Sequence, residues 1–447
     1  MLASADRAPT SFARPGILFS ILAALTIMPT GFNLALPGSA VGGWWTEALE
    51  VFHGVFVNDV MTFLWMAVAV ALAAAGMLRP ILTAEAKRYS ALIAFLGVVG
   101  LISTITNSFR YSAWIDLGEV ARLFVSAFYF LLMFHWAAKY GPGYVMAWFL
   151  GGIGFGGLIN IYFSITAPTN TVGILPFLYN RNGAGGILAL SIALAAWAWL
   201  VSGDDATIGR LASGFAAMVG VVAVALSFSK TSMVIGSLGV VAWMFALRLS
   251  PWAVLRSRAG KVLVLAAVVG MLMMPAGRIS SVWTSIKESV ASKFTDVLSP
   301  EVNASVRDRL GYYAAVWEIV STDPINAVFG VGFSGFYPAV IQTQAFAQGF
   351  VDEEPGAGKL ANPHNSYLYY IAELGLTGFG VIAALYWLFV RAVFRSVRDT
   401  TPLARAVSVG VALAYLLYAS ALPSLFKTEV LYLPAAVAMA AVWRART

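Results

Sequence analysis

The 447 residues contain no cysteine. That excludes a disulfide framework, a thiolate zinc site and an iron–sulfur cluster, and it leaves the redox compartment unread. Charge is scarce as well. Asp, Glu, Lys and Arg make up 11% of the chain, where a soluble domain carries roughly 25%. Hydrophobic residues make up 60%, more than a soluble surface can accommodate, so the chain is read as an integral membrane protein. A cytosolic enzyme, a secreted domain and a nucleic-acid binder are excluded. The net charge of +7 is not a nucleic-acid footprint, because the basic residues lie in short loops between apolar runs. Histidine occurs three times, as His53, His135 and His364, which narrows the search for a proton-transfer group.

A hydrocarbon core of about 30 Å needs roughly 20 apolar residues per helix. Runs of that kind lie near 16–36, 59–78, 90–107, 117–138, 143–165, 184–202, 211–228, 232–249, 261–276, 366–390, 403–422 and 426–443. The expectation is an all-α polytopic membrane protein of twelve transmembrane helices, a single transmembrane domain over 1–447. The first run follows Arg7 and Arg14 and could be a signal peptide. It is longer than a typical signal core and further spans follow, so a retained helix is expected. With the N-terminus in the cytoplasm, the inner segments hold Arg79, Lys87, Arg88, Lys139, Arg210, Arg248, Arg256, Arg258, Lys261, Arg391, Arg395, Arg398, Arg405, Arg444 and Arg446. The outer loops hold Arg110, Arg181, Lys230 and Lys427. That asymmetry places both termini inside.

The region 277–365, between the ninth and tenth spans, is the sizeable outer segment. Val282, Ile286, Val290 and Phe294 recur every four residues with Lys287, Glu288 and Lys293 opposite, the pattern of an amphipathic helix lying on a membrane surface. A second helix is expected from Ser305 to Ser321, stopping before Pro324. A glycine-rich turn follows from Gly330 to Phe336, and then a polar stretch with Asp352, Glu353, Glu354, Pro355, Gly356 and Gly358 that reads as a mobile loop or lid. Gly356-Ala357-Gly358-Lys359 imitates part of a phosphate-binding loop. Leu360 stands where Ser or Thr is required and no strand precedes it, so that reading is rejected.

His53 and His135 lack polar neighbours in sequence, and bland roles are expected for both. His364 lies in Asn362-Pro363-His364-Asn365-Ser366-Tyr367 at the outer start of the tenth span. Asn, Ser and Pro are helix-start residues. A helix N-terminus disfavours imidazolium and favours an anion. A neutral imidazole there can act as a general base; the alternative is a histidine that merely caps the helix. Arg181, Lys230, Arg307 and Arg309 sit at the same outer face, against the inside bias. Each alone could bind a lipid headgroup or a loop acid. As a group they suit an anion, since arginine forks match phosphate oxygens. Within the spans, Glu119 and Arg122 are three residues apart and are expected to pair, with Asp116 a turn earlier. Glu373 is an intramembrane charge nine residues into the tenth span, about 13 Å below His364 at 1.5 Å per residue.

His364-Asn365, nine residues, then Gly375-Leu376-Thr377-Gly378 resembles the His-Asn, nine residues, Gly-x-x-Gly motif of the bacterial O-antigen ligase family, within a superfamily that includes O-antigen and exopolysaccharide polymerases. Asn180-Arg181-Asn182 with Ala184 and Leu188 resembles the family's start of the sixth helix. Arg309 through Trp317, Pro324 and Gly330-Val331-Gly332 resembles its stretch before the histidine motif. The resemblance covers roughly 180–380. Lys230 stands where relatives often carry Arg, and 352–359 looks like an insertion.

The resemblance implies a GT-C-like membrane glycosyltransferase, metal-independent and inverting, with no cofactor. It would sit in the bacterial inner membrane with its active site facing the periplasm. The donor would be a glycan on undecaprenyl diphosphate. The acceptor would be lipid A–core in a ligase or a lipid-linked glycan in a polymerase, and membrane lipids would surround the chain. His364 would be the catalytic base. Arg181 and Arg309, with Lys230 and Arg307, would bind the diphosphate, and Asn180, Asn365, Gly375 and Gly378 would support the motifs. Arg309 fits the family spacing better than Arg307. Polymerases often carry two outer loops with an Arg, ten residues, Gly pattern. Here the corresponding positions are Ile192, Glu318 and Val320, which leans toward a ligase. The competing class is a transporter or lipid flippase. Transporters show repeat symmetry and midplane polar sites, whereas these polar residues gather at one face.

Overall fold

The computed structural model describes residues 81–111, 117–166, 183–202, 207–227, 229–248, 304–333, 335–348, 365–397, 401–421 and 429–447, with short pieces at 20–21, 26–28, 30, 50–52, 55–56 and 67. The helices in it are α1 (Ala84–Tyr111), α2 (Leu117–Tyr140), α3 (Pro142–Thr166), α4 (Gly183–Val201), α5 (Thr207–Ser227), α6 (Lys230–Ala246), α7 (Ala304–Thr322), α8 (Pro324–Phe329), α9 (Phe336–Val340), α10 (Gln344–Ala347), α11 (Ser366–Ser396), α12 (Pro402–Ala421) and α13 (Glu429–Arg446). The strands among the described residues are a small antiparallel pair, Glu50–Phe52 with Val55–Phe56.

Nine of the twelve expected spans coincide with described helices: α1 to α6 and α11 to α13. Among the described residues, six segments are long and apolar enough to cross a membrane: Ala84–Asn107, Val120–Tyr140, Pro142–Tyr162, Thr207–Ala225, Ser366–Ser396 and Pro402–Ser420. Gly185–Val201 and Thr231–Ala246 are shorter apolar helices. Most of the expected first span, the second and ninth spans, the surface helix at 282–294 and the loop at 352–358 lie outside the described residues. The pieces at 20–21, 26–28 and 30 are helical, and the Tyr144 and Tyr129 hydroxyls donate to Ser20 Oγ and Thr30 Oγ1.

The boundaries differ from expectation where polar residues extend a helix. α1 begins at Ala84, with Thr83 Oγ1 accepting from the Ala86 amide, so Glu85, Lys87 and Arg88 form a helical turn ahead of the apolar stretch. The seventh and eighth expected spans are α5 and α6, separate helices with two residues between them. α5 ends at Ser227, and buried Ser229 caps α6 by accepting from the Ser232 amide at 3.3 Å. Lys230 is therefore the first residue of α6 rather than a turn residue.

α4 and α13 form the centre. Leu188 to Ala198 and Val430 to Ala438 are buried almost without interruption. α4 packs against α5, α6 and α12, while α13 packs against α2 and α11. Polar ties sit where a buried donor needs a partner. Trp197 Nε1 donates to Ser396 Oγ at 2.9 Å, Tyr415 OH to the Val430 carbonyl at 2.6 Å and Tyr386 OH to the Ala412 carbonyl at 2.7 Å. Arg444 donates to the Ala138 carbonyl at 2.6 Å, and Arg446 lies 3.9 Å from Glu85. These ties bring the start of α1 and the ends of α2 and α13 to one end of the bundle. The exposed pair contributes little by itself. His135 is buried and its Nδ1 accepts from the Ile81 amide at 3.0 Å. It does have a polar partner, and that partner gives it a structural task at this end.

Candidate functional site

At the opposite end, α11 is not one continuous helix. It breaks at Gly375, where φ is 64° and ψ is −170°. A side chain is excluded there twice. The dihedrals belong to a region essentially reserved for glycine, and a Cβ would overlap the backbone of Val328 and Phe329. The break frees carbonyls from the helical ladder, and free carbonyls in a buried position need donors. The Gly330-Val331-Gly332 turn supplies them. The Val331 amide donates to the Ala372 carbonyl and the Gly332 amide to the Glu373 carbonyl, both at 2.8 Å. The turn itself needs glycine, with φ of 73° at Gly330 and 87° at Gly332. The two glycine motifs that are far apart in sequence are therefore two halves of one backbone joint.

α1 clamps that joint with residues the sequence reading did not single out. Ser103 Oγ donates to the Glu373 carbonyl at 3.0 Å. Asn107 Nδ2 donates to the Gly330 carbonyl at 2.7 Å and to the Ser103 carbonyl at 3.1 Å. Thr104 Oγ1 accepts from the Phe333 amide at 3.1 Å. All three side chains are buried. The available signal was Ser103-Thr104-Ile105-Thr106-Asn107, a run of small polar residues inside an apolar span. Glu373, expected as an intramembrane charge, is fully buried beside the break, and its carbonyl carries two of the joint's hydrogen bonds.

Above the joint, Asn365 caps α11. Its Oδ1 accepts from the Tyr367 amide at 2.9 Å and the Leu368 amide at 3.2 Å. The residue before it in the chain is His364, which lies outside the described residues, as do Asn180 and Arg181. Asn365→Ala should cost about 1 kcal/mol through loss of the cap, and Asn365→Asp should restore most of it. Thermal unfolding of the purified variants in detergent checks this; equal losses in Ala and Asp would assign Asn365 a role other than capping.

α7, α8 and α9 pack on α11. Tyr312, Ala315, Val316 and Ile319 of α7 form a small core with Val331, Phe336, Val340 and Ala372. Phe336 stacks edge-on against Tyr369 at 5.6 Å and lies 6.2 Å from Tyr312. The expected helix at 305–321 is α7, and it ends as expected before Pro324. Asp323 then caps α8, its Oδ1 accepting from the Ile325 amide at 2.8 Å. Glu318 accepts from the Gln344 amide at 2.8 Å and holds α10 to α7.

Arg309 projects from α7 and is partly buried. Its Nε is buried and makes no hydrogen bond within the protein. An unsatisfied buried donor of this kind costs about 1–3 kcal/mol, a cost that an anionic ligand would remove. Arg307 is helical in α7 and Lys230 opens α6. Arg309 on α7 and Asn365 at the start of α11 thus belong to two helices that pack on each other, with Gly375 and Gly378 further along α11, Gly378 packing against Leu374.

Residues 215–383 match the family model described as O-antigen ligase. The match runs from α5 to just past the break in α11. It includes Lys230, Arg307, Arg309 and the whole His364-to-Gly378 motif, and it leaves out Asn180, Arg181 and the α1 clamp. No curated protein matches the chain.

Proposed function

We propose that this chain, a member of the O-antigen ligase family over residues 215–383, is a membrane glycosyltransferase that moves a glycan from undecaprenyl diphosphate to a sugar hydroxyl at the periplasmic face. The observation that carries the reading is the family match over the stretch that contains the histidine motif. In this reading His364, next to the cap of α11, takes the proton from the acceptor hydroxyl. The acceptor oxygen attacks the anomeric carbon, and the bond from that carbon to the diphosphate oxygen breaks on the opposite side, so the configuration inverts. The electron pair leaves on undecaprenyl diphosphate, whose negative charge Arg309 and Arg181 stabilise, with Lys230 and Arg307 nearby. The charge comes from the protein's own cations, so no divalent metal is required. The unsatisfied Nε of Arg309 supports this assignment. Orientation follows the basic residues: Arg88, Lys139, Arg391 and Arg444 face the cytoplasm.

Arg309→Lys and Arg181→Lys keep the charge and lose the bidentate fork. Each should lower transfer by about tenfold to a hundredfold, the equivalent of one or two charge-assisted hydrogen bonds. Full activity in both Lys variants would remove the arginines from the diphosphate site.

The acceptor is assigned as lipid A–core, because the Arg, ten residues, Gly pattern of the polymerases is absent here. Surface glycans of a deletion strain test that assignment. Unmodified lipid A–core with accumulated long lipid-linked polymer is expected of a ligase. Loss of long chains, with single repeat units left on the carrier lipid, would make the chain a polymerase.

A further inference from the structure

We propose that α8 and the Gly330–Phe333 turn form a re-entrant segment sunk into the outer leaflet, with Ile325 and Val328 in contact with lipid acyl chains. Depth is the first support. Arg88 of α1 and Arg391 of α11 mark the same basic edge of the bundle, since the two helices run antiparallel with the joint at their far ends. Thr104 lies 16 residues beyond Arg88, and Gly375 lies 16 residues before Arg391. Both counts put the joint about 24 Å from that edge at 1.5 Å per residue. A hydrocarbon core is about 30 Å thick, so the joint lies about 6 Å below the outer boundary. α8 is at this level, because the Val328 backbone packs on Gly375. The turn goes deeper: the Phe333 ring packs on Gly100, four residues further down α1.

Backbone pairing is the second support. Irregular backbone is tolerated at this depth only when its polar groups are satisfied by protein. The amides of Gly330, Val331, Gly332 and Phe333 all have protein acceptors, and the Gly330 carbonyl accepts from Asn107.

The third support is the chemistry of the exposed surface. Ile325 is 49% exposed and Val328 44%, and Pro324 completes an outward face with no polar side chain. The neighbouring segments expose Ser321, Thr322, Gln342, Gln344 and Gln348 together with the apolar Leu310, Trp317 and Ile341. Leu376, directly after the break, is 58% exposed as well.

The natural chain has no cysteine, so single-cysteine variants need no background removal. Ile325→Cys, Val328→Cys, Leu413→Cys on the apolar span of α12 and Gln348→Cys on the outer loop are each labelled with a nitroxide. The full chain is then reconstituted into phosphatidylcholine–phosphatidylglycerol vesicles. Accessibility to oxygen and to a water-soluble nickel chelate is read by paramagnetic resonance. The oxygen-to-nickel ratio at 325 and 328 is expected to exceed that at 348 several-fold and to fall below that at 413, which lies nearer the bilayer centre. Ratios at 325 and 328 equal to that at 348 would overturn the proposal. The two positions are independent and exposed, so either folded variant decides the outcome. The readout needs no substrate, so its failure would leave the glycosyl-transfer reading standing, and the failure of that reading would leave this result standing.

Discussion

A His364→Ala variant should lose glycosyl transfer by about 10²–10⁴-fold, the contribution of a positioned general base, while its expression, membrane insertion and unfolding temperature stay near those of the unaltered protein. The separation of the two effects follows from the local structure. The start of α11 is held by Asn365, whose Oδ1 accepts both free amides, and by aromatic packing of Tyr369 on Phe336. None of these contacts uses the imidazole. Transfer is measured as product formed from lipid-linked glycan by equal amounts of purified protein. Product formation close to normal by well-folded His364→Ala protein would remove the base from the mechanism.

The largest structural effect is expected at Gly375. Alanine there must hold a positive φ, which costs about 1–3 kcal/mol. Its Cβ must also displace the Val328 backbone rather than a side chain that could swing aside, a form of overpacking worth about another 1–3 kcal/mol. The joint is tied by five hydrogen bonds, so a shift of Val328 would carry Gly330 and Gly332 with it. Gly375→Ala should therefore be destabilised by about 2–6 kcal/mol and accumulate poorly. Gly380→Ala is the control in the same helix, because nothing lies within 4 Å of a Cβ at that position. Thermal unfolding in detergent separates them. Equal unfolding temperatures for the two variants would mean that the break in α11 does not require glycine.

The sequence made α11 legible at its start and illegible at its break. Asn365-Ser366 after Pro363 is a helix-start signature, and the helix begins there. Across Gly375 the apolar pattern continues on both sides, and one glycine in a long apolar run is compatible with an unbroken span. What makes it a break is the arrival of a distant turn to satisfy the freed carbonyls. That pairing, Val331 to Ala372 and Gly332 to Glu373, is set by tertiary contact and has no local signal. The clamp on α1 was missed for a related reason. Serine and threonine are common in membrane helices, where they can satisfy themselves on their own backbone, so Ser103 and Thr104 carry no mark of an inter-helix role. Arg309 was identified from motif spacing, and the burial of its Nε adds a physical reason to expect a ligand.

Glycosyl transfer itself is tested most directly with the purified protein in detergent, supplied with a glycan on undecaprenyl diphosphate, lipid A–core as acceptor, and EDTA. With no compartments present, transport cannot be registered and only chemistry can. The expected result is release of undecaprenyl diphosphate in step with extended lipid A–core, with the anomeric configuration inverted in the product. Intact donor after prolonged incubation with folded protein and either lipid A–core or lipid-linked glycan as acceptor would contradict the assignment as a glycosyltransferase.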